Sequence, residues 1–256
     1  MKRLFYIIIF CGIFNPIFSQ EDYKIQISFY KVDETKRAEY ESVMTDVFGK
    51  IMTQRVKEGC MRNWIFRRVI PNSSMAEQFT HMTIDVLNPG SDNYACGEFE
   101  NIRKKVFPNQ SEKIFNILRD IRNSSRNVIY RTKLSRVSGF NKIGGKAPQF
   151  AMFCITKTKN GNYKKRHQDE EWINAAKKSF GHDAWYAFER VDFVNGTKEW
   201  NYLTIDAYAD ANDIYTGNKP FPSKLNEKIR KKYGTPNSQR DIWKRINTRL
   251  IYSAKD

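Results

Sequence analysis

Residues 63–87 read NWIFRRVIPNSSMAEQFTHMTIDVL and contain two short β-type runs on either side of a turn. The first run, NWIFRRVI, is rich in aromatic and β-branched residues, which are enriched in strands. The segment PNSS that follows combines a proline with small polar residues, a composition typical of turns. The run FTHMTIDVL then returns as a second strand. We therefore predict an antiparallel hairpin in this part of the chain.

Sequence matches recur further along the chain in the same order. The matching pairs are FRRV with FERV (66–69 and 188–191), TID with TID (83–85 and 204–206), IRKK with IRKK (102–105 and 229–232) and VIY with LIY (128–130 and 250–252). Ordered repeats of this kind indicate a duplicated structural unit. We predict two homologous halves, residues 21–140 and 149–256, joined by the linker NKIGGKAP at 141–148.

The first half is predicted to alternate strands with helices. Strands are expected in IQISFYKV, NWIFRRVI, FTHMTIDVL and NVIYRTKL. A long amphipathic helix ending near Gly59 is expected after the first strand, because apolar residues recur there at helical spacing. Its apolar face comprises Tyr40, Val43, Met44, Val47, Phe48, Ile51 and Met52. A short helix in EFENIRKK is expected to stop at Pro108, and Ser111 is expected to cap the next helix, with Ile114, Phe115, Leu118 and Ile121 on one face.

The second half follows the same plan. Strands are expected in QFAMFCITK, AWYAFERVDF, WNYLTIDAY and RLIYS. The pair Asn195–Gly196 predicts a hairpin turn. Helices are expected within 162–180, near 223–233 and near 238–247. Each IRKK tetrad is expected to end a short helix with its isoleucine buried and its lysines in solvent, since cations are favoured at a helix C-terminus.

The predicted order β-α-β-β-α-β, given twice, is the ferredoxin-like arrangement. Such a unit has its helices on one face of its sheet. The other, apolar face must be buried, and the sheet of a second copy can pack against it. We therefore predict an α+β protein of two fused ferredoxin-like βαββαβ repeats. Their antiparallel sheets would pack face to face around a small barrel.

The first twenty residues have the character of a leader peptide. Lys2 and Arg3 precede an apolar run from Leu4 to Phe14, which is too short and wrongly flanked for a membrane span. We predict a signal peptide at 1–20, and a mature chain that is exported to the periplasm or the extracellular space and does not span a membrane.

The chain is strongly basic, with a formal net charge of +16. Basic surfaces attract nucleic acids, anionic lipids or acidic glycans. The Lys and Arg residues are nevertheless spread along the chain, and no zinc-finger spacing, RNP-like strand or Arg-rich tail accompanies them. We predict no nucleic-acid partner, and an anionic envelope component remains an open partner class.

Three cysteines follow the predicted leader, Cys60, Cys96 and Cys154, which permits at most one internal disulfide. Their spacing matches no zinc pattern. The simplest interpretation is that they are small buried side chains, although the sequence does not fix their redox state.

The residues of the first half resemble a known family. The segments FYKV, NWIFRRVIPNSS, HMTIDV and KKVFPN, with Tyr40 on the long helix, are similar to uncharacterised secreted proteins of Bacteroidetes-type bacteria. The tandem arrangement resembles the dimeric α/β-barrel superfamily fused into one chain. That resemblance implies a fold. The superfamily includes monooxygenases, haem-active enzymes, isomerases and ligand binders, and the fold alone does not indicate which of these activities a member has.

Strand alternation predicts which side chains line a site. His81, Thr83 and Asp85 share one strand face, which we expect to point into the barrel, while Met82, Ile84 and Val86 would pack on the helices. Tyr202 and Asp206 are the expected counterparts in the second half. On the neighbouring strands we expect Trp64, Phe66 and Arg68 to match Tyr186, Phe188 and Arg190. The predicted ligand-binding residues are Trp64, Arg68, Asp85, Tyr186, Arg190, Tyr202 and Asp206.

Two interpretations of these residues stay open. Arg68 with Asp85 and Arg190 with Asp206 could be structural pairs that satisfy each other, or part of a polar-anchored pocket. His81 has Tyr202 as its repeat partner and is the candidate catalytic residue, as a general base or, if haem binds, as an iron ligand. No metal site, phosphate loop or serine-nucleophile elbow is predicted.

Three functional hypotheses follow. The leading one is an exported protein that binds a small molecule or an envelope component in an inter-sheet cavity, with no cofactor. The alternatives are a monooxygenase or haem-active enzyme using His81, and a basic protein that binds an anionic surface. The chain could also form a homo-oligomer.

Overall fold

The computed structural model describes residues 22–71, 78–93, 96, 98–192, 199–216 and 222–256. The predicted leader peptide at 1–20 and the predicted turn at Asn195–Gly196 lie outside these residues.

The described residues of the first half form the strands β1 (Lys24–Val32), β2 (Asn63–Val69), β3 (His81–Val86) and β4 (Arg126–Asn141). Its helical segments are a 3₁₀ turn (Glu34–Lys36), α1 (Arg37–Val43), a π-helical turn (Met44–Gly49), α2 (Lys50–Lys57), α3 (Phe99–Val106) and α4 (Glu112–Ser124). The chain stays helical from Arg37 to Lys57, and every residue of the predicted apolar face is buried. Ser111 caps α4 as predicted, since its hydroxyl accepts a hydrogen bond from the N–H of Ile114 at 3.3 Å. On α4 only part of the predicted face is covered, because Ile114 is 51% exposed.

The second half contains β5 (Phe150–Thr158), β6 (Ala184–Arg190), β7 (Tyr202–Tyr208) and β8 (Arg240–Ser253). Its helices are α5 (Asn162–Gln168), α6 (Glu170–Ser179), α7 (Asp213–Thr216), α8 (Ser223–Tyr233) and α9 (Pro236–Gln239). The prediction of a helix near 238–247 is wrong, because β8 begins at Arg240. Its backbone pairs with β5 from Arg240 opposite Thr158 to Arg249 opposite Phe150. Tertiary pairing therefore overrides the local helical pattern.

The described residues form an α+β fold around a closed barrel of eight antiparallel strands, in the order β1-β3-β2-β8-β5-β7-β6-β4. Two seams join the halves, β2 with β8 and β4 with β6. Strand β4 pairs with β1 along residues 126–135 and with β6 along residues 134–141. The two long strands, β4 and β8, thereby close the barrel.

The barrel interior is filled by apolar side chains from all eight strands. This core comprises Ile25, Ile27, Phe29, Val69, Phe79, Met82, Ile84, Leu134, Ala151, Phe153, Ile155, Ala184, Phe188, Trp200, Leu203, Ile205, Ala207 and Ile246. Two further apolar clusters lie between the outer face of the sheet and the helices, one in each half. Small barrels are filled in this way rather than hollow.

The predicted strand orientation is therefore wrong for β2, β3 and β7, since Trp64 and Phe66 of β2 also pack against the helices. Met82 and Ile84 face the barrel interior, whereas His81, Thr83 and Asp85 face the helices. The apolar set is needed inside because the closed interior excludes water. On the outer face His81 contacts Glu41 of α1, whereas Thr83 and Asp85 contact Tyr30 and Gln26 of β1.

Cys60 and Cys96 form a disulfide that ties the end of α2 to the segment before α3, and Cys154 is a buried free thiol. The expectation that all three cysteines are merely small buried side chains is thus wrong for the bonded pair. No helix among the described residues is both long and apolar enough to cross a membrane.

Candidate functional site

A cavity of about 270 Å³ opens at the end of the barrel where β1, β2 and β5 begin. Its wall contains apolar side chains from both halves of the chain. They are Ile25, Ile65, Ile84, Val86, Ala151, Phe153, Phe188, Ile205 and Ala207. Linker residues 145–148 also line it, so the connection between the halves forms part of the site. The volume lies near the lower bound of about 300 Å³ for small-molecule pockets.

The charged residues that line this cavity are all cations. They are Arg62, Arg67, Arg136, Lys146 and Lys255. No carboxylate is among the described residues that line it. The nearby carboxylate of Asp256 accepts a hydrogen bond from the N–H of Ala147 at 3.2 Å on the linker. The cavity therefore combines an apolar wall with a positive electrostatic environment.

Arg67 is the buried member of this group, with 2% of its surface exposed. Its Nε donates to the hydroxyl of Thr248 at 2.8 Å, and Nη2 donates to the carbonyls of Pro148 and Gln149, each at 3.1 Å. All three acceptors are neutral, and no carboxylate pairs with Arg67 in the part of the chain that the structure describes. Burial lowers the pKa of Arg67 to about 9, because a charged guanidinium is poorly solvated there.

Tyr23 joins two of the rim cations. The guanidinium carbons of Arg62 and Arg136 lie 5.0 Å and 5.2 Å from the centre of its ring. Cation–π contacts of this kind help to hold arginine side chains in place. Opposite them, the hydroxyl of Tyr186 accepts a hydrogen bond from the side-chain amide of Asn141 at 2.8 Å.

Among the predicted ligand-binding residues, Tyr186 lines this cavity. Arg190 belongs to the far end of the barrel, where it packs against the rings of Tyr130 and Trp200 and its Nε donates to Asp192 at 2.8 Å. The prediction that Arg190 pairs with Asp206 is wrong, because their side chains point to opposite sides of the sheet. The remaining predicted residues, Trp64, Arg68, Asp85, Tyr202 and Asp206, face the helices with His81.

His81 belongs to a buried polar cluster between β3 and α1. Its Nε2 lies 2.8 Å from Oε1 of Glu41, and its Nδ1 lies 2.9 Å from the hydroxyl of Thr80. Because a carboxylate only accepts, we assign the ring proton to Nε2, and Nδ1 then accepts from Thr80. The ring stacks on Phe66 with centres 5.5 Å apart. Burial lowers the pKa of His81, although Glu41 opposes this shift.

Glu41 also receives the guanidinium of Arg68, whose Nε lies 2.5 Å from Oε1 and whose Nη2 contacts Oε2. Burial alone would raise the pKa of Glu41. The hydrogen bonds from His81 and Arg68 and the charge of Arg68 outweigh burial and lower that pKa to about 2. The prediction that Arg68 pairs with Asp85 is therefore wrong, because Arg68 pairs with a helix carboxylate instead.

The second half has a corresponding strand-to-helix contact, formed by a tyrosine and a histidine instead of a histidine and a glutamate. Tyr202 occupies the β7 position equivalent to His81, and its hydroxyl lies 3.0 Å from Nδ1 of His167 on α5. His167 is packed among aromatic rings, and burial lowers its pKa well below the usual value. Both halves thus use one strand side chain to hold the first helix on the sheet.

Asp206 is buried on the same face of β7, opposite Trp185. Burial raises the pKa of Asp206 to about 7, although Arg240, Arg245 and a hydrogen bond from Trp185 oppose the shift. Its carboxyl group is enclosed by the helix layer and takes no part in the barrel-end cavity.

A larger surface groove of about 900 Å³ lies beside Arg68 and the end of β1. Several of its charged side chains already have partners. Arg37 pairs with Glu34 at 2.7 Å, and Arg68 pairs with Glu41. Carboxylates therefore pair with arginines of the groove, whereas the described charged residues lining the barrel-end cavity are all cations.

Sequence reasoning missed the cations of that cavity, above all Arg67. It lies between Phe66 and Arg68, and an alternating strand places it on the opposite face from both. The apolar neighbours Ile65 and Val69 share its face, and both belong to the barrel interior. Recognising Ile65 and Val69 as interior residues would have identified Arg67 as a charge inside the barrel.

No family model matches this chain, and no curated protein matches it. Solved structures of similar fold include a candidate monooxygenase from Lactobacillus acidophilus NCFM, with 13% identity, coverage of 91% of this chain and 95% of that chain, and a TM-score of 0.49. Another is a candidate monooxygenase from Fusobacterium nucleatum subsp. nucleatum, with 12% identity, coverage of 92% and 94%, and a TM-score of 0.48. A chlorite dismutase variant from Candidatus Nitrospira defluvii, in complex with cyanide, has 7% identity, coverage of 91% of both chains and a TM-score of 0.46.

These neighbours are similar to this chain in overall fold. Identities this low relate folds only, and TM-scores below 0.5 carry no argument about the chemistry of this chain.

Proposed function

We propose that the protein binds a small molecule in the cavity at the end of its barrel. The observation that carries this proposal is an apolar cavity at the end of the packed barrel core, whose described charged lining residues are all cations. Apolar walls with a few fixed polar groups are typical of small-molecule sites.

We also infer that the chain arose by duplication and that it is exported. We infer two ferredoxin-like repeats that arose by duplication, because each half runs its strands in the same relative order, β4-β1-β3-β2 and β8-β5-β7-β6. We also infer export after removal of residues 1–20. The disulfide between Cys60 and Cys96 supports export, since disulfides persist in oxidising compartments.

The test uses the neutral dye N-phenylnaphthylamine, whose fluorescence rises in an apolar site, together with native mass spectrometry of the purified protein. We expect saturable dye binding, and we expect Ala207→Leu, which fills the cavity wall, to abolish it. Ala211→Leu, outside this cavity, is the control. Wild-type protein that binds no dye and carries no copurified molecule would refute the proposal.

The enzyme alternative with His81 stays a prediction, and the geometry of this chain does not favour it. An iron ligand needs a free ring nitrogen. Both nitrogens of His81 already bond to protein, at 2.8 Å and 2.9 Å, so haem ligation would break one of these bonds. A haemin titration of the purified protein decides the point. A Soret shift that His81→Ala removes would restore this alternative.

The surface-binding alternative also stays a prediction. Binding to anionic vesicles that weakens as salt is added would support it, because salt screens exposed charges.

A further inference from the structure

The barrel-end cavity has an electrostatic property that general small-molecule binding does not require. A buried charge is costly unless an opposite charge or strong hydrogen bonds compensate it. Arg67 is 2% exposed, and within the described part of the chain its hydrogen-bond acceptors are one hydroxyl and two carbonyls. Four more cations line the same cavity, and no carboxylate is among its described lining residues.

The guanidinium of Arg67 is held in a fixed orientation. The hydrogen bonds from Nε and Nη2 use one edge of the planar guanidinium. The two backbone acceptors are Pro148, the last residue of the linker, and Gln149, which follows it. Within the described chain, Nη1 of Arg67 donates to no protein acceptor. A fixed guanidinium with donor capacity left over is well suited to an anionic oxygen group.

The apolar wall of the cavity indicates that an anionic ligand should also carry an apolar part. Ile84, Phe153, Phe188 and Ile205 lie around it and contact one another in the barrel core. An inorganic anion would leave this apolar surface exposed to water, whereas an organic anion would cover it.

We propose that the natural ligand is a small organic monoanion, with its charged head at Arg67 and its apolar body against the barrel wall. This inference rests on the proposed binding function and specifies the class of ligand. The cations Arg62 and Arg136, held over Tyr23, would attract the anion to the mouth of the cavity.

The test compares two ligands of equal chain length, octanoate and octanol, by displacement of N-phenylnaphthylamine from the full-length protein. We expect octanoate to bind at least about tenfold more tightly than octanol in the wild type. Arg67→Met should remove that preference while leaving octanol affinity unchanged. Arg249→Met is the matched control, because Arg249 is exposed and lies outside the cavity, and it should keep the preference.

Should Arg67→Met fail to fold, Arg67→Lys takes its place. It keeps the charge but lacks the planar fork, so it should retain part of the preference for octanoate. Equal displacement by octanoate and octanol in the wild type would overturn the anion proposal and leave small-molecule binding intact. Absence of dye binding would instead overturn the proposed function itself.

Discussion

Glu41 connects three elements of the first half at a single carboxylate. It lies on α1 and accepts from His81 on β3 and from Arg68 on β2. The histidine ring is fully buried, while the Glu41 side chain is 16% exposed, so its charge is partly shielded from water. Charge-assisted hydrogen bonds in such a setting are stronger than those at the surface.

We predict that Glu41→Gln removes a pH-dependent part of the stability. The folded pKa of Glu41, about 2, lies below its ordinary value of 4.5. The carboxylate therefore stabilises the fold above about pH 4.5, and this contribution is lost as the pH falls towards 2. We expect a loss on the order of 2 kcal/mol at neutral pH and little difference near pH 2, measured by urea unfolding across this range.

Glu34→Gln is the control for this series. Glu34 pairs with Arg37 on the surface, where its side chain is 84% exposed, and surface pairs contribute little. A Glu41→Gln variant whose stability tracks that of the wild type at every pH would contradict the role assigned to this carboxylate.

At the level of single residues, the sequence identified polar positions but not their partners. It singled out His81 and Arg68, yet Glu41 did not stand out, because its position on the helix flank gave no pattern. Burial and pairing across distant elements are tertiary facts. The burial of Arg67 was missed because it too depends on tertiary structure. Strand alternation by itself placed Arg67 on the other face of the strand from Arg68.

At the level of strands, an error of one residue in aligning the two halves reverses the predicted facing of the side chains. The TID match relates Asp85 to Asp206, and the structure places Trp64 opposite Asp85 and Trp185 opposite Asp206. The FRRV–FERV match is displaced from this register by one residue. A displacement of one residue moves every side chain to the other face of the sheet. For that reason Tyr186 and Arg190 face the interior, whereas their predicted counterparts face the helices.

The IRKK tetrads were predicted correctly at this scale. Ile102 and Ile229 are buried within α3 and α8, and the lysines of both tetrads are exposed in the last turns of these helices. Helix periodicity and the helix dipole were sufficient, because both act within a few residues. The predicted helix at 238–247 failed because pairing between β8 and β5 depends on residues far apart in the chain.

Strand β4 depends on a glycine where it crosses from β1 to β6. Gly139 has a φ of +155°, and a Cβ there would lie 2.5 Å from the carbonyl oxygen of Trp185. We predict that Gly139→Ala lowers the free energy of unfolding by about 3 kcal/mol, since neighbouring backbone would have to move. Denaturant unfolding measures the loss, with Gly161→Ala as control because nothing lies within 4 Å of its Cβ position. Equal stability of the two variants would show that β4 tolerates a side chain at this crossing.

For the whole molecule, both halves are required because together they close the barrel around its apolar interior. Each half presents apolar side chains of four strands to the interior, and neither half covers that surface by itself. The prediction of an α+β barrel protein came from the repeat and from strand alternation. An inter-sheet cavity was expected from the sequence, but most of its lining residues could not be predicted, because they depend on how side chains from both halves and the linker meet.

This dependence yields a prediction about separated halves. Fragments 22–144 and 145–256 are each expected to expose an apolar sheet face and the unpaired edges of β2 and β4, or of β6 and β8. Light scattering should therefore find each fragment self-associated, and near-ultraviolet circular dichroism should show native packing restored when the two are mixed one to one. A single fragment that remains monomeric and unfolds cooperatively would mean that the seams are not needed to hold each half together. The two halves would then be independent domains in contact, and the cavity between them would lose the rigid wall that binding an anion at Arg67 requires.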